Sequence, residues 1–172
     1  MSNRGTRINV EAKDKCFPKK AHATDAAYDL FVSEKVELTP NSRKYIPLGF
    51  RIQLPSNMKL TIQPRSGQSG KGMIVHAEFP DWMGGGSVTS RVNADVVLGL
   101  VDCGYGGEVK AIVKSGKWKL KLSIWRMIGV KYYLYPGDRI CQGALTYVPD
   151  TNLIEGSVNG TRDGLGSTDK IK

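Results

Sequence analysis

The sequence is poor in the residues that build metal cages and disulfide frameworks. Its 172 residues include two histidines and three cysteines. Cys16, Cys103 and Cys141 are widely spaced and odd in number, which fits neither a zinc site nor a set of disulfide pairs. A reducing compartment is the simplest interpretation of these cysteines. His22 and His76 have no neighbouring partner pattern, and we interpret them as structural or surface residues.

Long apolar runs are also missing. A run such as 96–101 is far too short to cross a bilayer, and the polar, basic first twenty residues contain no recognisable signal peptide. We therefore expect a cytoplasmic protein with no membrane partner. The sequence also lacks a Walker loop, a dinucleotide fingerprint and a Gly-x-Ser-x-Gly frame around Ser66, which disfavours the enzyme classes that use them.

Positive charge is in excess, with a formal net charge of +9. A basic surface would explain this charge, and so would a polyanionic partner such as a nucleotide or a nucleic acid. Aromatic and basic residues do not alternate as they do on a base-stacking platform. We therefore do not expect a nucleic-acid partner.

Short strand patterns dominate the chain, and 20 glycines and eight prolines provide many turns. The segment 99–113 predicts a strand, a glycine-rich turn and a second strand, that is, a β-hairpin. The best helical segment is a turn or two near 66–71. These patterns predict an all-β, jelly-roll-like distorted barrel. The predicted strands are 7–11, 28–32, 35–38, 43–54 with a break at 47–49, 59–63, 99–101, 108–113, 118–122, 131–135 and 139–148.

Two segments carry candidate chemistry. Pro64-Arg65-Ser66-Gly67 offers a forked cation, a hydroxyl and an unobstructed N–H, which together could grip phosphates, although a plain turn explains the same residues. In the stretch 99–108, an apolar strand ends at Asp102, and Tyr105 follows at the tip of the turn. Asp102 could activate water as a general base, and Tyr105 could pack on a sugar or base. An exposed turn aspartate and a core tyrosine are the alternative.

The C-terminal end is rich in Gly, Ser, Thr, Asn and charge. A frayed tail is the default interpretation of such a composition. Residues 161–168, with Arg162, glycines and hydroxyls, could instead bind phosphates on a flexible arm. We predict one domain over 1–156 and a flexible arm over 157–172.

The order of five segments identifies a family. AAYDL at 26–30, PRSG at 64–67, GLVDCGYGGEV at 99–109, GDRICQ at 137–142 and RDGLGST at 162–168 follow one another along the chain. This series resembles the five ordered motifs of the trimeric dUTPases and spans nearly the whole sequence. The resemblance implies a homotrimer with sites between subunits, and hydrolysis of dUTP to dUMP and pyrophosphate by attack of water on the α-phosphate. That activity limits uracil in DNA and supplies dUMP for dTMP synthesis.

The resemblance also implies roles for individual residues. Asp102 would activate the water, and Asp29 would contact Mg²⁺ through water, the ion being held mainly by triphosphate oxygens. Tyr105 would exclude a 2′-hydroxyl, and backbone groups of the predicted hairpin, including those of Leu100, Val101 and Lys110, would bind the uracil edge. The residues expected to hold phosphates or to close over the nucleotide are Arg65, Ser66, Gly67, Gln142, Arg162, Leu165, Gly166, Ser167 and Thr168.

Several features depart from the family pattern. The stretches near 71–95 and 114–131 are longer than usual for the family, and we interpret them as insertions. Ala27 stands where the first motif usually has glycine, and Val96 stands where an asparagine is frequent. Leu165 replaces the usual phenylalanine that stacks on uracil, so it can cover the base but has no aromatic face.

Two other functions remain open from the sequence. A dCTP deaminase shares the fold, but that family usually has a glutamate at the position of Ile112 and a tryptophan at the position of Tyr105. A dUTPase-like regulator that binds nucleotide or a protein partner is the other possibility, suggested by the charge, the insertions and Leu165. Asp102 argues against a pure binder, because a binder needs no carboxylate beside the α-phosphate.

Overall fold

The computed structural model describes residues 5–118 and 129–156. Within these ranges there are thirteen short strands, one α-helix and one 3₁₀ turn. Helix α1 spans Ser66–Lys71, and the 3₁₀ turn spans Asp81–Met83. The strands are β1 (Asn9–Ala12), β2 (Tyr28–Phe31), β3 (Val36–Leu38), β4 (Arg43–Pro47), β5 (Phe50–Gln53), β6 (Met58–Pro64), β7 (Met73–Glu78), β8 (Ser87–Val92), β9 (Ala94–Val97), β10 (Gly99–Val101), β11 (Lys110–Ser115), β12 (Lys131–Leu134) and β13 (Arg139–Tyr147).

The described strands form four small antiparallel sheets. Sheet I has the order β10-β6-β13-β2, sheet II the order β4-β11-β9, and sheet III the order β3-β12-β7-β8. Strands β1 and β5 form a separate pair. Most neighbours in a sheet are far apart in sequence, although β7 and β8 are consecutive, so the fold depends mainly on long-range pairing.

Alternation of side chains creates a single core between the sheets. Along β6 the buried residues are Met58, Leu60 and Ile62, and along β7 they are Met73, Val75 and Ala77. A period of two is what a strand needs to bury one face and expose the other. Burying such side chains contributes about 1.5–3 kcal/mol each, so this interior is the main source of stability.

The sequence correctly predicts the all-β class, helix α1 and most strands. The predicted break at 47–49 separates β4 from β5, and Gly49 has the positive φ of +68°. A Cβ at Gly49 would lie 2.6 Å from Cys16 Sγ, so glycine is required there by both conformation and space. The break therefore lets the chain leave sheet II and pair with β1.

One expectation from the sequence is wrong. The two strands of the predicted 99–113 hairpin both form, but they do not pair with each other. Strand β10 pairs with β6, whereas β11 pairs with β4 and β9. The residues between them, 102–109, instead carry the chain from sheet I to sheet II. The structure also contains strands β7, β8 and β9, which the sequence pattern does not predict. The predicted strand 118–122 falls mostly outside the described residues.

The 71–95 segment has regular structure. Strands β7 and β8 pair in full antiparallel register, from Met73 opposite Val92 to Glu78 opposite Ser87. Their connection contains the 3₁₀ turn and exposes Trp82. Within the described ranges, no helix is long and apolar enough to cross a membrane.

Candidate functional site

The PRSG segment joins the end of β6 to α1. Pro64 is the last residue of β6, and Arg65 precedes the helix in an extended conformation. Ser66 and Gly67 are exposed at the start of the helix, where backbone N–H groups have no partner within the helix itself. A Cβ added to Gly67 would meet nothing within 4 Å, so the space beside this backbone is open. The segment can therefore present donors to an anion.

Asp29 on β2 lies between two arginines. Its carboxylate is buried, with the residue 6% exposed. Arg65 Nε lies 3.0 Å from Asp29 Oδ1, and Arg139 Nη1 donates to Asp29 Oδ2 at 3.2 Å. Gln142 is directly opposite Asp29 in the β13–β2 register, so the two side chains share a face. We call Asp29, Arg65, Arg139 and Gln142 the cationic cluster, since two positive charges surround one negative charge.

One carboxylate oxygen of the cationic cluster keeps its hydrogen-bonding capacity. The contact between Arg65 Nε and Asp29 Oδ1 has the distance of an ion pair but not the geometry of a hydrogen bond. Asp29 Oδ1 is buried and accepts no hydrogen bond from any residue in the described ranges. A buried acceptor of this kind is costly unless something satisfies it. Metal-bound water is a chemically suitable donor.

The described residues do not form a protein cage for a metal. No group of three or more His, Cys, Asp or Glu side chains in 5–118 and 129–156 could hold an ion. Mg²⁺ commonly binds through one or two carboxylates, several waters and substrate phosphates. Asp29 fits that chemistry as an acceptor for metal-bound water, provided that the phosphates supply most ligands.

Asp102 lies at the mouth of a separate cavity of about 630 Å³. It follows Val101, the last residue of β10, and is itself exposed. The walls are largely apolar, which suits a nucleoside-sized group with few polar contacts. We call this space the Asp102 cavity. Its lining includes five of the predicted site residues, Leu100, Val101, Asp102, Tyr105 and Lys110, together with Tyr45, Ile62, Val97, Gly99, Val109 and Ile112.

Tyr105 is braced within the 102–109 loop. Its hydroxyl donates to the backbone oxygen of Glu108 at 3.1 Å, and its backbone N–H donates to Asp102 O at 3.3 Å. A Cβ at Gly107 would lie 2.8 Å from the Tyr105 hydroxyl, so a side chain there would displace the ring from this position. The aromatic face is thus held at the cavity beside Asp102.

Glu108 fastens the far end of this loop to the core. Its Oε1 accepts hydrogen bonds from the backbone N–H of Gly49 and from Lys13 Nζ, both at 3.0 Å. Burial alone would raise the pKa of Glu108. The hydrogen bonds from Lys13 and Gly49 and the charges of Lys13 and Lys110 outweigh burial, so this pKa lies below its ordinary value.

Within one chain, the cationic cluster and Asp102 lie far apart. Strands β10 and β6 are antiparallel, with Gly99 opposite Ile62 and Val101 opposite Leu60. Continuing this register places Asp102 next to Lys59, six residues before Arg65. At the rise of a strand, six residues span about 20 Å. The two groups therefore lie at opposite ends of sheet I.

The structure brings together only part of the predicted site. Asp29, Arg65 and Gln142 meet in the cationic cluster, and the predicted residues of 100–110 meet at the Asp102 cavity. The predicted tail residues Arg162, Leu165, Gly166, Ser167 and Thr168 lie outside the described residues.

Sequence reasoning missed three residues. Arg139 lies inside the GDRICQ motif, but only Gln142 of that motif was carried forward. Tyr45, which lines the Asp102 cavity, comes from a strand far from it in sequence. Gln68 contacts Arg139 across the fold, and no local pattern indicates that contact.

Comparisons with known proteins agree with this picture. A family model described as dUTPase matches residues 13–103. The deoxyuridine 5'-triphosphate nucleotidohydrolase of Mycolicibacterium vanbaalenii is 30% identical over 145 residues, covering 83% of this chain and 75% of that protein. The protein of the same name from Gloeothece citriformis is 28% identical over 163 residues, which is 94% of each chain.

Solved structures match over nearly the full length. Staphylococcus bacteriophage 80alpha dUTPase with dUpNHpp has a TM-score of 0.68 and 20% identity, covering 95% of this chain and 98% of that one. A mutant dUTPase from phage phi11 of S. aureus, described with a structural Mg(II) ion, has a TM-score of 0.66 and 18% identity over 91% and 100%. At these identities the structures establish the fold, and they confirm the predicted jelly-roll-like architecture.

Proposed function

Because this chain belongs to the dUTPase family, we propose that it hydrolyses dUTP to dUMP and pyrophosphate. The observation that carries the proposal is Asp102, a carboxylate at the mouth of a largely apolar cavity with Tyr105 braced beside it. This arrangement suits a deoxynucleoside whose α-phosphate lies next to a general base. Family membership indicates which reaction is catalysed, and the cavity is the site that we assign to it.

The proposed chemistry is a substitution at the α-phosphorus. Asp102 accepts a proton from water while the water oxygen forms a bond to the α-phosphorus. The bond from that phosphorus to the oxygen bridging the α- and β-phosphates breaks, and pyrophosphate leaves. Arg65, Ser66, Gly67 and Gln142 hold the phosphate chain with charged and neutral donors.

Mg²⁺ is the proposed cofactor. Asp29 would hold it through water, consistent with the carboxylate oxygen that no described residue satisfies. When bound to the triphosphate, the ion neutralises charge on the phosphate oxygens. The protein's own part is to hold the Asp29 carboxylate in place between Arg65 and Arg139.

We propose that the complete site is built between copies of the chain in a homotrimer. About 20 Å separates Arg65 from Asp102 within one copy, so a triphosphate nucleotide at one Asp102 would meet the cationic cluster of another copy. Tyr45 and Leu100 line the cavity and are 71% and 57% exposed, and Leu98, between the lining residues Val97 and Gly99, is 68% exposed. Together they expose apolar surface beside the cavity. Such surface favours burial against a second copy. In this proposal the 157–172 arm of a neighbouring copy closes over the nucleotide.

Pyrophosphate release from dUTP, dCTP, dTTP and UTP tests the activity. We expect rapid release from dUTP and little from the other three nucleotides. Absence of turnover with dUTP, in protein that binds dUpNHpp, would favour the regulator that captures nucleotide without hydrolysing it.

Mixing two inactive variants tests the shared site. Arg65→Ala lacks a phosphate ligand, and Asp102→Asn lacks the base, so each alone is expected to be nearly inactive. If a site takes these residues from different copies, unfolding and refolding the two together regenerates intact sites. Random assembly makes about a quarter of the sites intact. Mixing the separately folded trimers without refolding is the control, and unchanged inactivity after co-refolding would contradict the intersubunit site.

Deamination of dCTP is disfavoured by the cavity itself. Ile112, at the position where a deaminase usually has glutamate, lines the same cavity as Asp102. An aliphatic side chain cannot transfer protons, so the cavity lacks that acid–base group. Ammonia release from dCTP is the measurement that would reverse this conclusion.

A further inference from the structure

Gln68 on α1 connects the PRSG segment to the start of β13. The side chain is buried, with the residue 5% exposed, and its Nε2 donates to the backbone oxygen of Arg139 at 2.8 Å. Only the NH₂ end of the amide can donate to a carbonyl, so its orientation is fixed by this bond. Gln68 Oε1 is buried and accepts no hydrogen bond within the described ranges.

The bond falls at an irregularity in sheet I. In the β13–β2 pair, Arg139 is opposite Phe31 but Cys141 is opposite Leu30, so β13 contains one extra residue there. A β-bulge of this kind interrupts the ladder and changes the direction of the side chains beside it. Gln68 supplies a hydrogen bond to the strand at the place where the ladder is disrupted.

We propose that Gln68 is a positioning residue for the phosphate-binding side of the site, an inference that rests on the proposed function. By fixing the bulge, it aims the Arg139 guanidinium at Asp29, where Arg139 Nη1 and Arg65 Nε contact the two carboxylate oxygens. Gln68 thereby sets the spacing of two cations that face the phosphates, without touching the nucleotide itself.

Gln68 Oε1, which no residue in the described ranges satisfies, argues against a purely structural role. Burying an unsatisfied amide oxygen is unfavourable, and a methionine of similar length would fill the space without that penalty. Loss of the hydrogen bond to the backbone oxygen of Arg139 offsets this gain in stability. Gln68→Met should therefore leave thermal stability almost unchanged while weakening phosphate binding.

A double-mutant cycle with Arg139 tests the proposal. Binding of inorganic tripolyphosphate with Mg²⁺ is measured by calorimetry for wild type, Gln68→Met, Arg139→Ala and the double variant. We expect Gln68→Met to weaken binding by about five- to tenfold, the size of one lost hydrogen bond, with Tm within about 3 °C of wild type. In the Arg139→Ala background the same change should have almost no effect. In dUTP turnover the loss should appear in KM rather than kcat.

Equal binding by wild type and Gln68→Met, or an equal loss in both backgrounds, would overturn the proposal. Failure of the wild type to bind tripolyphosphate would also overturn it. If Gln68→Met does not fold, Gln68→Glu keeps the length and an acceptor but lacks the donor, and the same cycle applies. Wild-type dUTP hydrolysis is measured in parallel, so a protein that binds tripolyphosphate without turnover refutes the function and not the role of Gln68.

Discussion

The hydroxyl of Tyr105 donates a hydrogen bond to the backbone oxygen of Glu108 and thereby crosses the 102–109 loop. The ring passes over Gly107, where a side chain would collide with it. Since the carboxylate of Glu108 is in turn bonded to Gly49, the loop beside Asp102 is tied to the core at its far end. Substitutions in this connection are therefore expected to change sugar selection and the dependence of stability on pH.

Sugar selection is expected to depend on the ring of Tyr105. Tyr105→Ala removes the surface that would exclude a 2′-hydroxyl, so UTP hydrolysis should rise relative to dUTP hydrolysis. Tyr105→Phe keeps the ring and loses only the bond to Glu108, so it should retain the preference for deoxyribose. Steady-state kinetics with both nucleotides give the ratio. An unchanged ratio in folded Tyr105→Ala would place the discrimination elsewhere.

Hydrolysis is expected to require the carboxylate of Asp102. Asp102→Asn has the same shape but cannot accept the proton, so kcat should fall on the order of a hundredfold or more. Affinity for dUpNHpp should be kept, because the amide fills the same space. Asp150→Asn, at an exposed position, is the matched control. Near-normal turnover by Asp102→Asn would exclude it as the base.

The 157–172 arm is expected to serve catalysis rather than stability. Ordering such a segment costs roughly 1–2 kcal/mol of backbone entropy per residue, which bound triphosphate would offset through the predicted donors Arg162, Ser167 and Thr168. Truncation after Gly156 should greatly reduce kcat/KM for dUTP and leave Tm nearly intact. Full activity of the truncated protein would show that the arm is dispensable.

Replacing Leu165 is a gentler test of the same arm. Leu165→Phe restores an aromatic face, so it should lower KM for dUTP if residue 165 covers the base. Leu165→Ala removes the cover and should raise KM. No change in either variant would separate residue 165 from base binding.

Acid stability should depend on Glu108. Its pKa in the folded protein lies below the ordinary 4.5, so its ionised form stabilises the fold above that pH. This contribution disappears as the pH falls through the folded-state pKa. Glu108→Gln should therefore lower the free energy of unfolding at pH 7, and its difference from wild type should shrink below about pH 4.5. Glu155→Gln, at an exposed position, is the control, and a difference independent of pH would contradict the assignment.

The local sequence pattern predicted most strands but not which strands pair with each other. Alternating residues marked β2, β6 and β13, and Pro47-Leu48-Gly49 marked the change of sheet. The pairing of β10 with β6 depends on residues about forty positions apart, and the local pattern is the same for a hairpin. Strands β7 to β9 were not among the strands predicted from the sequence.

The site was predictable in its residue types rather than its geometry. Motif order indicated Asp29, Arg65 and Asp102, but not that Arg139 would share the Asp29 carboxylate. That contact depends on a one-residue bulge in β13 and on the buried amide of Gln68. Neither feature has a periodic signature in the sequence.

If the site is shared between copies, as we propose, the distance along sheet I between Arg65 and Asp102 would make activity depend on protein concentration. An isolated copy contains a phosphate ligand and a base but is expected to use neither productively. If three copies share their sites, specific activity per chain should be constant at high concentration and collapse upon dilution below the dissociation constant of the assembly. Substrate would oppose that collapse, since a nucleotide that bridges two copies also holds them together.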